Sequence, residues 1–390
     1  MGIGGVLRSS ALAIAAASLL PLAAQHQPYT VHDTRPVITN GPYLLAPTEN
    51  SATLVWMTDT PCHSKVVYGT DGDLSLVAEP QTHGLVPVGT RHVVWISSLQ
   101  PGKTYNYKLV STRVVKMKSY WPEKGLSAES PVYSLTPFDR RKRSFSFDLI
   151  TDTHADPTRT NGLIEGIDWQ SSDFLVHLGD AFDTEFDEMI WSRWLDPLSK
   201  ALAHTRPLIY ARGNHEARGA AARVLMDHVP IPEGRFYYAR DHGPVHFIVL
   251  DTGEDKPDAT NVYSGLNRFE EYRERELAWF NDHAGKDQRV KEAPFRVLLM
   301  HAPDWGWTGN QGARWTEAAN AAGIDLAVSG HTHRFAHMAP GQKDNRYHQL
   351  VLGPENIARI DASPDSLTVK VTAIGGRPVA SFVVPRRARR

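Results

Sequence analysis

Six short apolar runs in the second half of the chain limit what it can fold into. They are FSFDLI (145–150), DFLVHLG (173–179), PLIYARG (207–213), VHFIVLD (245–251), FRVLLM (295–300) and IDLAVSG (324–330). Between them, DEMIWSRWLDPLSKALA (187–203) and NRFEEYRERELAWFNDHA (267–284) carry apolar residues at helical spacing. In the second, Phe269, Tyr272, Leu277 and Phe280 fall near one face, and Asn267 with Glu270 three residues on predicts a capping box. Strands alternating with helices indicate an α/β domain, placed at 145–385. The closing stretch DSLTVKVTAIGGRPVASFVV predicts a hairpin about Gly375-Gly376.

Upstream the rhythm differs. SATLVWM (51–57), SKVVYG (64–69), RHVVWIS (91–97) and TYNYKLVS (104–111) are rich in β-branched and aromatic residues, and turn signals such as TDGD and QPGKT separate them. Short strands so spaced predict a β-sandwich over residues 37–136. SLQPGKTYNYKL also resembles a fibronectin type III module, in which a proline-glycine turn leads into a tyrosine-bearing strand. The basic linker TPFDRRKRS (136–144) divides the two rhythms, and 390 residues suit two domains. The expected fold class is thus an all-β fibronectin III-like sandwich followed by an α/β domain.

Composition excludes several classes. A formal net charge of -1 offers no bulk attraction to nucleic acid, and Arg386 to Arg390 is a local run best read as a solvated tail. The single cysteine, Cys62, allows no internal disulfide and no zinc-finger spacing, so any metal site must use nitrogen and oxygen donors. At the start, Arg8 precedes ALAIAAASLLPLAA, which is short for a bilayer span, and small residues surround Ala23 and Ala24. That is the pattern of a cleaved signal peptide over 1–24, with a secreted or periplasmic product and no span thereafter.

The chemistry collects where the apolar runs end. DLITDTHAD supplies Asp152 and His154, VHLGDAF Asp180, YARGNHEA Asn214, His215 and Glu216, VLLMHAPD His301, and VSGHTHRF His331 and His333. In open α/β sheets ligands bind beyond the carboxyl ends of the strands, so these residues are expected to converge. Leaving His215 and Glu216 aside, the donors are four imidazoles, two carboxylates and one amide oxygen. That exceeds one tetrahedral ion and suits two divalent ions sharing a carboxylate. Nitrogen plus oxygen without sulfur points to Mn, Fe, Zn or Co. Read as satisfied buried polar groups instead, so many charges on one rim would be costly.

The ordered set DxH, GD, GNH[ED], H and GHxH resembles the calcineurin-like metallophosphoesterase family, and GPYLLAPTENSATLVWMTDTP with SSLQPGKTYNYKL resembles the N-terminal domain of the purple acid phosphatases. The resemblance covers about residues 38 to 360. It implies a four-layer α/β/β/α catalytic domain and a two-metal phosphoester hydrolase acting on small phosphorylated substrates. It implies Asp152, His154 and His333 on one metal, Asn214, His301 and His331 on the other, and Asp180 bridging. A hydroxide shared by the metals would attack phosphorus, with His215 as general acid. The purple enzymes carry an iron-binding tyrosine three residues after the bridging aspartate; Asp183 stands there in this chain. A phosphodiesterase or nucleotide pyrophosphatase activity is the nearest rival, and a non-catalytic surface adhesion protein the rival from another class. His177 and His246, inside apolar runs, read as bonded core histidines. Glu216 reads as a cap of the following helix or an orienter of His215. Trp305, Trp307, Phe182 and Phe186 either wall the pocket or pack its loops.

Overall fold

The computed structural model describes residues 30–183, 190–306 and 311–387. The export segment expected at 1–24, Phe186 and Trp307 lie outside them. No described helix is long and apolar enough to cross a membrane.

All six apolar runs form strands: Phe145–Ile150, Phe174–His177, Leu208–Tyr210, Val245–Val249, Phe295–Leu299 and Leu326–Ser329. They divide between two sheets. The first three lie side by side and parallel, with Asn356–Ala362 antiparallel on the outer flank of Phe145–Ile150. The last three are also parallel, flanked by Tyr238–His242 and by His348–Val351. Each sheet is therefore mixed. The sheets pack face to face: the Phe147 ring meets the Phe247 ring at 5.3 Å, edge on, and both belong to one apolar cluster. Alternation sends Ile248, Leu298 and Ala327 to the far face of the second sheet, where they meet Leu277 and Phe280 of the helix Phe269–Lys286. The C-terminal hairpin forms as expected, Ser366–Ala373 pairing with Pro378–Pro385 about Gly375-Gly376.

Three local expectations are corrected. The runs at 51–57 and 64–69 belong to one strand, Ala52–Gly69. Its register shifts between Met57 and Cys62, and Pro61 sits exposed at the irregularity, where a missing N–H breaks no ladder. The helical reading of 187–203 resolves, in its described part, into a π-helical turn Ile190–Leu195 and a short α-helix Asp196–Ala201. The helix Phe269–Lys286 is capped from outside: Asp258 accepts from the Phe269 N–H at 2.9 Å and the Glu270 N–H at 3.1 Å. A more distant carboxylate thus replaces the capping box expected of Asn267.

Strands do precede the α/β region. Ala52–Gly69 pairs with Gly89–Ile96 along its first half and with Tyr105–Lys116 along its second. Trp56, Val66, Val94, Ile96, Tyr107 and Leu109 make a buried cluster there, separate from that between the two large sheets. One parallel bridge, Leu45 to Leu208, joins these strands to the first sheet.

Candidate metal centre

Each strand delivers its donors within a few residues of its last hydrogen bond. Asp152 follows Phe145–Ile150, Asp180 follows Phe174–His177, and Asn214 follows Leu208–Tyr210; His301 and His331 follow Phe295–Leu299 and Leu326–Ser329. Backbone bonds then lace the loops together. Asp152 N–H donates to Gly179 O at 3.0 Å, His154 N–H to Asp180 O at 3.0 Å, and Gly330 N–H to His301 O at 2.8 Å. The sheets are tied across the site as well, since His331 N–H donates to Asp152 Oδ2 at 3.0 Å.

The sequence-predicted donors meet in one volume. Ligand atoms of Asp152, His154, Asp180 and His333 lie within 4.8 Å of one another, and so do those of Asp180, His301 and His331. Asp180 belongs to both groups. Its Oδ2 lies 3.1 Å from His301 Nε2 and 4.0 Å from His154 Nε2. Asn214 Oδ1 joins the second group, 2.9 Å from His331 Nδ1. In the first, His333 Nε2 is 3.2 Å from Asp152 Oδ1 and 3.0 Å from His154 Nε2.

Donor chemistry fits cations. Asp152 Oδ1 and His301 Nε2 are buried and have no hydrogen-bond partner among the described residues. Such orphans are rare and costly. His301 Nδ1 donates to Leu178 O at 2.7 Å, which leaves Nε2 as the atom that a cation would engage in place of a proton. Burial alone would push His301 down, but the adjacent Asp180 carboxylate prevails and lifts it to about 10. His154 is lifted to about 9 against the same penalty by Asp152, Asp183 and Asp180. Asp180 in turn is held low by His301 and His215 despite its burial. Protons on these imidazoles occupy the role that a bound cation would take.

The geometry needs its glycines. A Cβ on Gly213 would fall 2.2 Å from Asp180 Oδ1, and one on Gly330 would fall 2.5 Å from Asp152 Oδ2. The donors themselves bend the other way: Asp152, His154, Asp180, His331 and His333 adopt φ of 52°, 47°, 50°, 71° and 57°. Left-handed backbone is unfavourable for residues with a Cβ, by roughly 1–3 kcal/mol each.

Two residues carry roles that sequence reasoning missed. Asp183 Oδ1 contacts His154 Nδ1 at 2.5 Å and His215 Nδ1 at 2.6 Å, so one carboxylate oxygen orients both rings. In the sequence Asp183 is marked only by standing three residues after Asp180, where the purple enzymes carry tyrosine. Glu216 neither caps a helix nor touches His215. Wholly buried, it accepts N–H bonds from Asp180, Ala181 and Gly213 at 3.0, 2.6 and 3.1 Å, and so braces the loop that presents Asp180. Burial and the nearby Asp180 charge raise its carboxyl to about 7. His177 and His246 are buried and bonded, the first to Thr153 Oγ1 at 3.1 Å and the second to Asp241 at 2.6 Å. Trp305 stacks on Trp315 at 5.6 Å, and Phe182 packs on Trp194 at 5.9 Å.

Residues 145–335 match the family model of the calcineurin-like phosphoesterases. They are a calcineurin-like phosphoesterase domain. The chain is by that family a metal-dependent phosphoester hydrolase. Its fold resembles a purple acid phosphatase from yellow lupin (Lupinus luteus) seeds, with 16% identity, a TM-score of 0.68, and coverage of 90% of this chain and 74% of that one. It also resembles PhoD, with 12% identity, a TM-score of 0.58, and coverage of 88% of each chain. No curated protein matches the chain in sequence. The likeness extends beyond the phosphoesterase domain, because nine-tenths of the chain includes the strands that precede it.

Proposed function

We propose that this phosphoesterase is an exported two-metal phosphatase of small phosphorylated substrates. Asp152, His154 and His333 hold one divalent ion; Asn214, His301 and His331 hold the other; Asp180 is shared. One observation carries this reading: a single buried carboxylate, Asp180, stands within reach of two separate donor groups. In the same reading residues 37–136 are a fibronectin III-like domain of the purple acid phosphatase type, supported by their own buried cluster, and 145–385 are the four-layer catalytic domain. Residues 1–24 are an export signal.

Bound divalent ions would supply charge for the phosphate oxygens and lower the pKa of an attacking water. The side chains do the rest. The left-handed loops hold the donors in place before substrate arrives, so little reorganisation accompanies the reaction. His215 is the general acid in this reading. Its Nδ1 is engaged by Asp183, and its Nε2 faces the centre, 3.8 Å from Asp180 Oδ2. Once Nε2 has given up its proton, Arg218 Nη1 at 3.2 Å can donate to it. Burial draws the His215 imidazole below its ordinary value, which eases that release.

The test is a reconstitution. Protein stripped by chelator and reloaded with Mn, Fe, Zn or Co should bind two ions per chain and hydrolyse p-nitrophenyl phosphate faster than bis-p-nitrophenyl phosphate. Absence of turnover with every metal, or one ion per chain at saturation, would sink the two-metal reading. Faster diester turnover would make it a phosphodiesterase. N-terminal sequencing of exported protein should begin near Gln25.

A further inference from the structure

The strands that precede the phosphoesterase domain are joined by turns of two kinds. TDGD (70–73) and QPGK (100–103) carry the small and polar residues that tight turns favour. The turn between Tyr105–Lys116 and Glu123–Glu129 is different and reads MKSYWP (117–122). Its Met117, Tyr120 and Trp121 are 62%, 82% and 54% exposed. Val115, on the strand leading in, and Val31, bridged to Lys124 on the strand leading out, are exposed as well. Single apolar side chains are ordinary on a surface, but two aromatics and a methionine on one turn make a patch. Turn geometry does not ask for them. Trp121 has a φ of 59°, a left-handed backbone that is costly under a bulky side chain and that glycine or asparagine would adopt more easily. The chain thus keeps an indole at a strained position and leaves it in water. Packing of the sandwich does not use the ring, since that cluster closes around Trp56 and Tyr107.

The surrounding charges say what kind of partner fits. Residues 113–124 hold four cations, Arg113, Lys116, Lys118 and Lys124, against one carboxylate, Glu123. Glu123 is already engaged by Lys118 and by His32. On the adjoining segment the exposed Asp33 and Arg35 offset each other. The tip therefore carries a surplus of three positive charges, in a chain whose formal net charge is -1. Exposed tryptophan and tyrosine beside lysine is a composition suited to the bilayer interface. The rings settle at the level of the headgroups, and the cations are drawn to anionic lipid. A second copy of the same tip would set like charges together, which opposes self-association there. Among the described residues no helix is long and apolar enough to cross a membrane, so the contact would be peripheral.

We propose that the turn 117–122 is a membrane-docking tip, which seats Met117, Tyr120 and Trp121 among the headgroups of an anionic phospholipid bilayer. The inference does not rest on the phosphatase reading. Protein purified without the leader 1–24, whose own apolar stretch would bind lipid, should cosediment with vesicles of phosphatidylcholine containing about one-third phosphatidylglycerol. Partitioning onto phosphatidylcholine alone should be about ten-fold weaker. The double variant Tyr120→Ser, Trp121→Asn should lose about ten-fold or more on the anionic vesicles, and Lys116→Gln about five-fold. All three positions are exposed and asparagine accepts the left-handed backbone at 121, so circular dichroism should show the wild-type fold in each variant. No partitioning of the wild type onto the anionic vesicles, or undiminished partitioning in the double variant, would overturn the proposal. Equal binding to the two vesicle types would overturn the choice of an anionic surface. Sedimentation velocity without lipid tests the rival occupant. A wild-type dimer that the double variant dissolves would make the tip a contact between copies of the chain, and the proposal would fall.

Discussion

The two donor groups of the centre are built to different depths. His301 and Asn214 are buried, and His301 is oriented by a backbone carbonyl, Leu178 O, that cannot rotate away. On the other side, the His333 side chain is 52% exposed, and His154 is oriented by Asp183, itself 53% exposed. His301 held by main chain makes one half rigid; an exposed His333, and a half-buried His154 held by a surface side chain, make the other adaptable. On the two-metal reading proposed above, the difference implies unequal retention of the two ions, with the His333 side open to solvent and to exchange. Asp180 lies between them and cannot be assigned to either half.

The largest effect expected is therefore at the shared residue. Asp180→Asn should cut turnover by roughly 10³-fold or more, since it removes charge from both halves, while circular dichroism shows an intact fold. Wild-type rates in this variant would end the comparison, because the halves would then have nothing in common. Next come the two halves separately. His301→Ala should lower unfolding free energy by about 2–4 kcal/mol, through a cavity and an uncompensated carboxylate at Asp180. His333→Ala should stay within about 0.5 kcal/mol, as exposed substitutions do, yet lose metal. Equal stability losses in denaturant titrations would erase the distinction of depth. Asp183→Asn should then cost about 10–100-fold in metal affinity or rate, as partners of metal-binding histidines do. A chelator time course should be biphasic, and that variant should accelerate only the fast phase. The smallest effect concerns acid. Burial lowers the imidazoles of His92, His242 and His283 to about 4. Between pH 6.5 and 4 the unfolded chain then binds more protons than the folded one. Stability should fall as pH falls across that window, by about 2 kcal/mol per fully buried histidine at pH 5. Thermal melts at pH 7.5 and 5 measure it, and a higher midpoint at pH 5 would show that these rings are not buried neutral.

Much of the centre could be read from residue order alone, because period and polarity converge there. An apolar strand that stops at Asp152 or His301 announces both an element and a functional end. What escaped reading depends on contacts distant in sequence. Asp183 is one more acid in a loop until the fold sets it between His154 and His215, residues that are 61 positions apart. Glu216 looks like a helix cap beside His215, yet its carboxylate turns back to amides at 180, 181 and 213. The cap of Phe269–Lys286 failed for the same reason: Asn267 had the right local spacing, and Asp258 had the better position in space. The fusion of two predicted strands into Ala52–Gly69 shows that a proline does not end a strand at a position where it has no ladder partner.

Five of the proposed ligands keep their backbone in a region that glycine or asparagine would occupy more comfortably. Robustness and chemistry therefore pull in opposite directions at these positions. A library selected for heat tolerance alone should accumulate glycine at 152, 154, 331 and 333 early, and its hardiest survivors should be inert.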